Sequence, residues 1–267
     1  MAERDGLRAS SWLSRRRLLG GAVLLGLAGT LAESGSAEAR AYQDQEREQG
    51  LGSLEGPSGG SFPHSTRVLW DSNTAQRLVA LTFDDGPMER FTRPLLEVLD
   101  RAKVPATFCV VGARVHQQQS LVRRELSGRH ELVNHTWSHP DLSALGAAGV
   151  DRELERTNEV IARLTGGRPA LLRPPYGRLS GVALRSAARS GHDVLMWDVK
   201  LHEQSQDIAG NVHQVLRQLT PGTVLLGHDQ GPSYRQVGVA AIPGIIEGAK
   251  ARGYQFVTAS QMFGVDH

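Results

Sequence analysis

Asp84 and Asp85 stand side by side where the apolar run Leu78-Val79-Ala80-Leu81-Thr82-Phe83 gives way to Gly86-Pro87. Farther along comes His135-Thr136-Trp137-Ser138-His139. Asp, His and His suit a borderline divalent metal such as zinc, with a second carboxylate left over for proton transfer. Successive side chains of a strand diverge, so adjacent aspartates at its end can do different jobs. A metal-dependent hydrolase is the chemistry this set describes best. Each motif alone has a plainer reading. A carboxylate pair ahead of Gly-Pro is ordinary turn chemistry, and two histidines four apart can share a surface helix face. Two further segments, Leu171-Leu172-Arg173-Pro174-Pro175-Tyr176-Gly177 and Val224-Leu225-Leu226-Gly227-His228-Asp229, repeat the pattern of an apolar run ending in polar or special-backbone residues. That recurrence favours chemistry over turn making.

These four segments resemble, in order and spacing, motifs of the polysaccharide deacetylases (carbohydrate esterase family 4), over roughly residues 75 to 260. The first family motif resembles Thr82-Phe83-Asp84-Asp85-Gly86, the second His135 to His139, the third Arg173-Pro174-Pro175-Tyr176 and the fifth Leu226-Gly227-His228. The resemblance implies that Asp85, His135 and His139 hold the metal, zinc or else cobalt, leaving positions open for water and substrate. A helical turn through Trp137 and Ser138 is expected to return His139 beneath His135. The resemblance further implies that Asp84 is the general base and His228 the general acid that protonates the leaving nitrogen. Arg173 is expected to pair with Asp84 and keep it ionised. The backbone N–H of Tyr176 is expected to hold the oxyanion, stiffened by the prolines before it. Leu226 would line the pocket for the acetyl methyl group, although ordinary strand core also accounts for it.

The fourth family motif is where the sequence departs. The family shows a tryptophan, two spaced aspartates and a second tryptophan, whereas this chain reads Trp197-Asp198-Val199-Lys200-Leu201-His202-Glu203-Gln204. By ungapped counting Lys200 replaces the first aspartate, Glu203 the second and Gln204 the final tryptophan. Either Glu203, with its longer arm, or Asp198 is then the candidate to orient His228. The change also bears on the wall of the sugar pocket, where Trp197 is the expected aromatic. Trp70, Trp137, Tyr176 and Trp197 are the candidates for stacking a sugar ring, and each could equally be core.

Short apolar runs at 78–83, 106–111, 131–134, 170–173, 193–197, 223–226 and 255–258 alternate with amphipathic stretches at 92–102, 121–127, 150–164, 181–189, 208–219 and 239–252. Val150, Leu154, Ile161 and Leu164 fall near one helical face, with charged residues filling the rest. Strand–helix alternation predicts a parallel sheet covered by helices, an α/β barrel or a doubly wound sheet. Every motif falls at the C-terminal end of a predicted strand, where barrel enzymes gather their chemistry. The resembling family has a distorted seven-stranded (β/α) barrel, and seven candidate strands agree with it.

Ahead of this domain, Ser14-Arg15-Arg16-Arg17-Leu18-Leu19 leads into an apolar stretch ending near Ala32, and Ala37-Glu38-Ala39 resembles a cleavage site. The stretch is short for a spanning helix, which needs about 20 residues. Residues 1–39 are therefore expected to be a twin-arginine-type signal peptide, with the export machinery as partner and an exported chain as the result; an ordinary secretory signal and an uncleaved membrane anchor are the alternatives. Residues 40–66, rich in Gln, Glu, Gly and Ser, read as a flexible linker, and residues 67–267 as the catalytic domain. A formal net charge of +2 gives no reason to expect nucleic-acid binding. Cys109 is the chain's one cysteine, so no intrachain disulfide can form, and its apolar neighbours make it a packing residue. The expected protein is an exported monomer that removes N-acetyl groups from an N-acetylglucosamine polymer, peptidoglycan or chitin-like. An O-acetyl esterase of xylan, a deacylase of a non-carbohydrate amide, and a carbohydrate-binding protein with an inactive site are the alternatives.

Overall fold

The computed structural model describes residues 65–265. The expected signal peptide, and all of the expected linker but its last two residues, lie outside that range. No helix among the described residues is long and apolar enough to cross a membrane.

The sheet is built around β2 (Leu78–Asp84), whose side chains divide by strand parity. Val79, Leu81 and Phe83 face a layer of helices, in one cluster with Phe91, Leu95 and Leu99 of α1 (Glu89–Ala102) and Ile242 and Ile245 of α7 (Gln236–Ala251). Ala80 faces the other way, into a cluster with Cys109, Val133, Leu171, Leu195 and Val224, capped by Ala259 and Met262 of the short helix α8 (Ala259–Phe263). Asp84 shares the parity of Ala80 and so points into the upper end of this interior. Cys109 is fully buried there, as its sequence context implies.

Among the described residues all strand pairs are parallel. They run in the order β1 (Val68–Leu69), β6 (Asp193–Leu195), β5 (Leu171–Leu172), β4 (Glu131–Asn134), β3 (Thr107–Val110), β2, β8 (Thr223–His228), β7 (Val199–Lys200). The ninth strand, β9 (Gln255–Val257), pairs with Leu78–Ala80 of β2, while β3 pairs with Thr82–Asp84. Because β8 lines β2 from Val79 to Asp84, β3 and β9 share its opposite edge, one above the other. The curled sheet has β1 and β7 at its two ends, and no pairing joins them among the described residues.

The outer helices α1, α3 (Gln119–Ser127), α4 (Ala147–Thr165), α5 (Gly181–Arg189) and α6 (Ile208–Gln218) fall within a few residues of the predicted amphipathic stretches. A further short helix, α2 (Gly112–Gln117), follows β3. This is the α/β barrel that the strand–helix alternation predicts, with nine strands among the described residues rather than seven. The additional two, β1 and β7, are two residues each, too short for a period of two to register.

Candidate active site

Register brings the motifs to one rim. Asp84 is opposite His228 of β8 and Cys109 of β3, Val110 is opposite Asn134, and Asn134 is opposite Leu172. The residues that follow Asp84, Asn134 and Leu172 are Asp85, His135 and Arg173, so strand pairing alone places all of them on the C-terminal edge of the barrel.

Asp85 leaves β2 with φ 76°. Parity would send its side chain outward; the left-handed backbone swings it back over the rim. Its Oδ1 lies 2.9 Å from His139 Nε2 and 3.4 Å from His135 Nε2. Burial alone would raise the Asp85 pKa, but hydrogen bonding with His135 and His139 outweighs it and holds the carboxyl well below the usual range. His135 Nδ1 meets the Arg173 carbonyl at 2.7 Å. A carbonyl only accepts, so Nδ1 carries a proton, and Nε2 is the ring atom that faces Asp85.

The loop that carries His139 is not the helical turn expected from the sequence. Thr136 and His139 both take positive φ, 66° and 62°, and three side chains hold the bend. Asn134 Oδ1 accepts from Thr136 N, Thr136 Oγ1 accepts from His139 N, and Glu153 of α4 accepts from the backbone N–H groups of Trp137 and Ser138. Trp137 itself turns toward the helices, with the Arg156 guanidinium 4.0 Å above its ring, so it is not among the rings available for a sugar.

One ligand atom from each of Asp85, His135 and His139 fits within a 4.8 Å circle of the others. One carboxylate oxygen with two imidazole lone pairs is a donor set that zinc takes, and three protein ligands leave room for water and substrate. The chain thus holds a candidate Asp/His/His metal site.

Arg173 is completely buried and spends its donors inside the barrel. Nη1 donates to Asp84 Oδ1 at 2.8 Å and to Thr82 Oγ1 at 2.6 Å, while Nε and Nη2 donate to the carbonyls of Leu195 and Met196. A buried cation is tolerable only with such pairing. The expected Arg173–Asp84 pair is present, and Asp84 Oδ2 lies 3.9 Å from His135 Nε2.

Across the rim, Glu203 Oε1 accepts from the backbone N–H of His228 and Oε2 from its Nδ1, each at 2.8 Å. Burial disfavours the His228 imidazolium, but the Glu203 hydrogen bond and charge prevail, so the pKa is raised. Asp198 is engaged elsewhere, accepting from Val224 N and Thr223 Oγ1. Of the two candidates to orient His228, Glu203 therefore makes the contact. Its own position is set by Asn211, whose side-chain amide pins both the N–H and the C=O of His202, and by Gly238, where a Cβ would crowd the Glu203 carboxylate.

Tyr176 sits in a left-handed bend (φ 61°), 63% exposed, with its ring edge-on to His139 at 4.8 Å. Trp197 is half-buried between Gly177, where a Cβ would strike its ring, and the Arg173 guanidinium 5.7 Å away. Leu226 shares the inward parity of Val224 and His228 and is 5% exposed. Beside His228 a cavity of about 310 Å³ opens between Lys200, Glu203, Tyr234 and Arg235. Arg235, Tyr234 and Glu153 all bear on this rim, and no sequence motif marks them.

The polysaccharide deacetylase family model matches residues 71–195. A chitooligosaccharide deacetylase of Sinorhizobium fredii is 37% identical over 70% of this chain and 93% of its own length. The chain belongs to the polysaccharide deacetylase family. It is therefore a hydrolase of the deacetylase type. A peptidoglycan-N-acetylglucosamine deacetylase of Bacillus cereus is 34% identical over 69% of this chain and 68% of its own length. The crystal structure of a peptidoglycan N-acetylglucosamine deacetylase, solved with an N-hydroxybenzamide compound, matches with TM-score 0.71 and 31% identity, covering 74% of this chain and 92% of that one.

Proposed function

We propose that the protein is an exported, zinc-dependent deacetylase that releases acetate from N-acetylglucosamine units of a polysaccharide, peptidoglycan or chitin-like. The observation that carries this reading is the single rim on which the Asp85–His135–His139 cluster lies beside two differently supported titratable groups, Asp84 and His228. The similarity to peptidoglycan and chitooligosaccharide deacetylases supports the choice of substrate class.

Asp85, His135 and His139 would hold the metal. When bound, it polarises the acetyl carbonyl and brings the pKa of a water toward neutrality. Asp84, hydrogen-bonded by the Arg173 guanidinium, takes the proton of the attacking water. The Tyr176 N–H donates to the oxygen that gains charge as the carbonyl carbon becomes tetrahedral. His228, whose protonated form the Glu203 carboxylate favours, gives its proton to the departing nitrogen. Leu226 faces the acetyl methyl, and Trp197 and Tyr176 bound the sugar. The chain acts as a monomer.

Acetate release measured in parallel on peptidoglycan, chitooligosaccharides and acetyl xylan tests the reading. It predicts release from the first two with little from xylan; release from xylan alone would make the protein an O-acetyl esterase, and release from none would favour a binding protein. Export is proposed to run through residues 1–39, with residues 40–66 as spacer before the catalytic domain, and rests on the Arg15-Arg16 pair. Changing both to Lys should block translocation, since the guanidinium pair is what the export receptor reads; unimpaired export would point to an ordinary secretory route.

A further inference from the structure

Arg235 closes the short turn Ser233–Arg235 ahead of α7 and reaches back across the rim. Its Nη1 donates to Asp85 Oδ2 at 2.7 Å and to the Gln230 carbonyl at 2.8 Å, and its Nε lies 3.5 Å from Glu203 Oε2. One guanidinium thus touches both the carboxylate of the candidate metal cluster and the carboxylate that holds His228. The chain makes room for it: at Gly231, which has φ 133°, a Cβ would meet Arg235 Cδ at 2.7 Å.

The two oxygens of Asp85 are divided between partners. Oδ1 faces the Nε2 atoms of His139 and His135, and Oδ2 is taken by Arg235. A carboxylate held only at its Cβ can rotate and offer either oxygen, or both. A charge-assisted bond on Oδ2 selects the rotamer in which Oδ1 alone is presented to the histidines. Exposed ion pairs are worth little, but here the Asp85 side chain is 13% exposed and that of Arg235 21%, so water competes weakly. Lysine could neutralise Asp85 but could not meet two carboxylates through two nitrogens of one rigid plane.

We propose that Arg235 is a positioning residue of the metal site, fixing Asp85 for single-oxygen ligation and tying it to the Glu203–His228 pair. The inference rests on the reading of Asp85, His135 and His139 as metal ligands. It deepens that reading by adding a supporting contact to the ligand carboxylate, of the kind whose loss weakens metal binding by about 10–100-fold.

Zinc affinity measured by competition with a chromophoric chelator tests it, on the full chain and with thermal unfolding of the metal-free protein alongside. Arg235→Ala should bind zinc at least about tenfold more weakly. Arg235→Lys should fall between it and the parent, and Arg90→Ala, whose arginine pairs with Gln236 instead, should match the parent. Should Arg235→Ala fail to fold, Arg235→Met keeps the aliphatic stem without a donor and should show the same loss. Unchanged affinity in the Ala or Met variant would overturn the proposal. So would tighter binding, which would make Arg235 a competitor for Asp85 and not its support. A parent protein that binds no zinc would instead overturn the metal reading itself.

Discussion

Asp84 and His228 are direct register partners on neighbouring parallel strands, yet their supports are opposite in charge. Arg173 donates to Asp84 from inside the barrel, and Glu203 accepts from His228 at the rim. The Arg173 guanidinium sets a positive charge against Asp84, and the Glu203 anion beside the imidazole favours its protonated form. In the proposed mechanism these two groups, set side by side by one strand pairing, serve as base and acid, the division of labour amide hydrolysis needs.

The adjacent aspartates should separate by function. Asp84→Asn keeps shape but cannot accept a proton, so it should retain zinc while turnover falls by roughly 10²–10⁴-fold. Asp85→Ala should lose zinc affinity, and added zinc should partly restore activity. Metal content and acetate release measured on both variants check this, and the reversed pattern would exchange the two roles.

His228→Ala should also retain zinc and lose roughly 10²–10⁴-fold on an N-acetyl substrate. With an activated ester the leaving group needs little protonation, so the loss should be much smaller. Equal losses on both substrates would remove His228 from the acid role.

Glu203 raises the His228 pKa against the effect of burial. A general acid must be protonated, so activity falls as pH rises through that pKa. Glu203→Gln removes the anion and lowers the pKa, which should move the alkaline limb of the kcat profile to lower pH. An unmoved limb would mean that Glu203 serves structure alone.

Asp229 gives a stability prediction. Burial, with the Asp85 and Asp84 charges adding to it against the Thr92 hydrogen bond, raises its pKa to about 7. The unfolded value is about 4, so between these limits the folded state keeps a proton that the unfolded state has lost. Stability must then decline as pH rises through that window. In chelator-treated protein, Asp229→Asn should flatten this decline in melting temperature between pH 4 and pH 7; an unchanged slope would place the dependence elsewhere.

The placement of the candidate site is largely legible in the sequence because its titratable side chains sit at strand ends. Leu78–Asp84 and Thr223–His228 announce themselves as apolar runs, and parallel pairing then aligns whatever follows them. Loop conformation was not legible. His135 and His139 are four apart, as on a helix, but the spacing arises from two left-handed residues held by Asn134, Thr136 and Glu153. Glu203 and Asp198 stood as equals in sequence because nothing local reveals that Asp198 is spent on the β8 backbone. Arg235 was missed for a similar reason: it follows a Gly-Pro-Ser stretch without periodicity, and only the fold brings it to Asp85.

The most direct test of the central claim is a zinc titration of the chelated protein, read as acetate released from an N-acetylglucosamine oligomer. The account predicts no release before zinc is added, a rise up to about one equivalent per chain and a plateau beyond it. Release that is undiminished in the zinc-free protein, or that stays absent at full zinc occupancy, would contradict it.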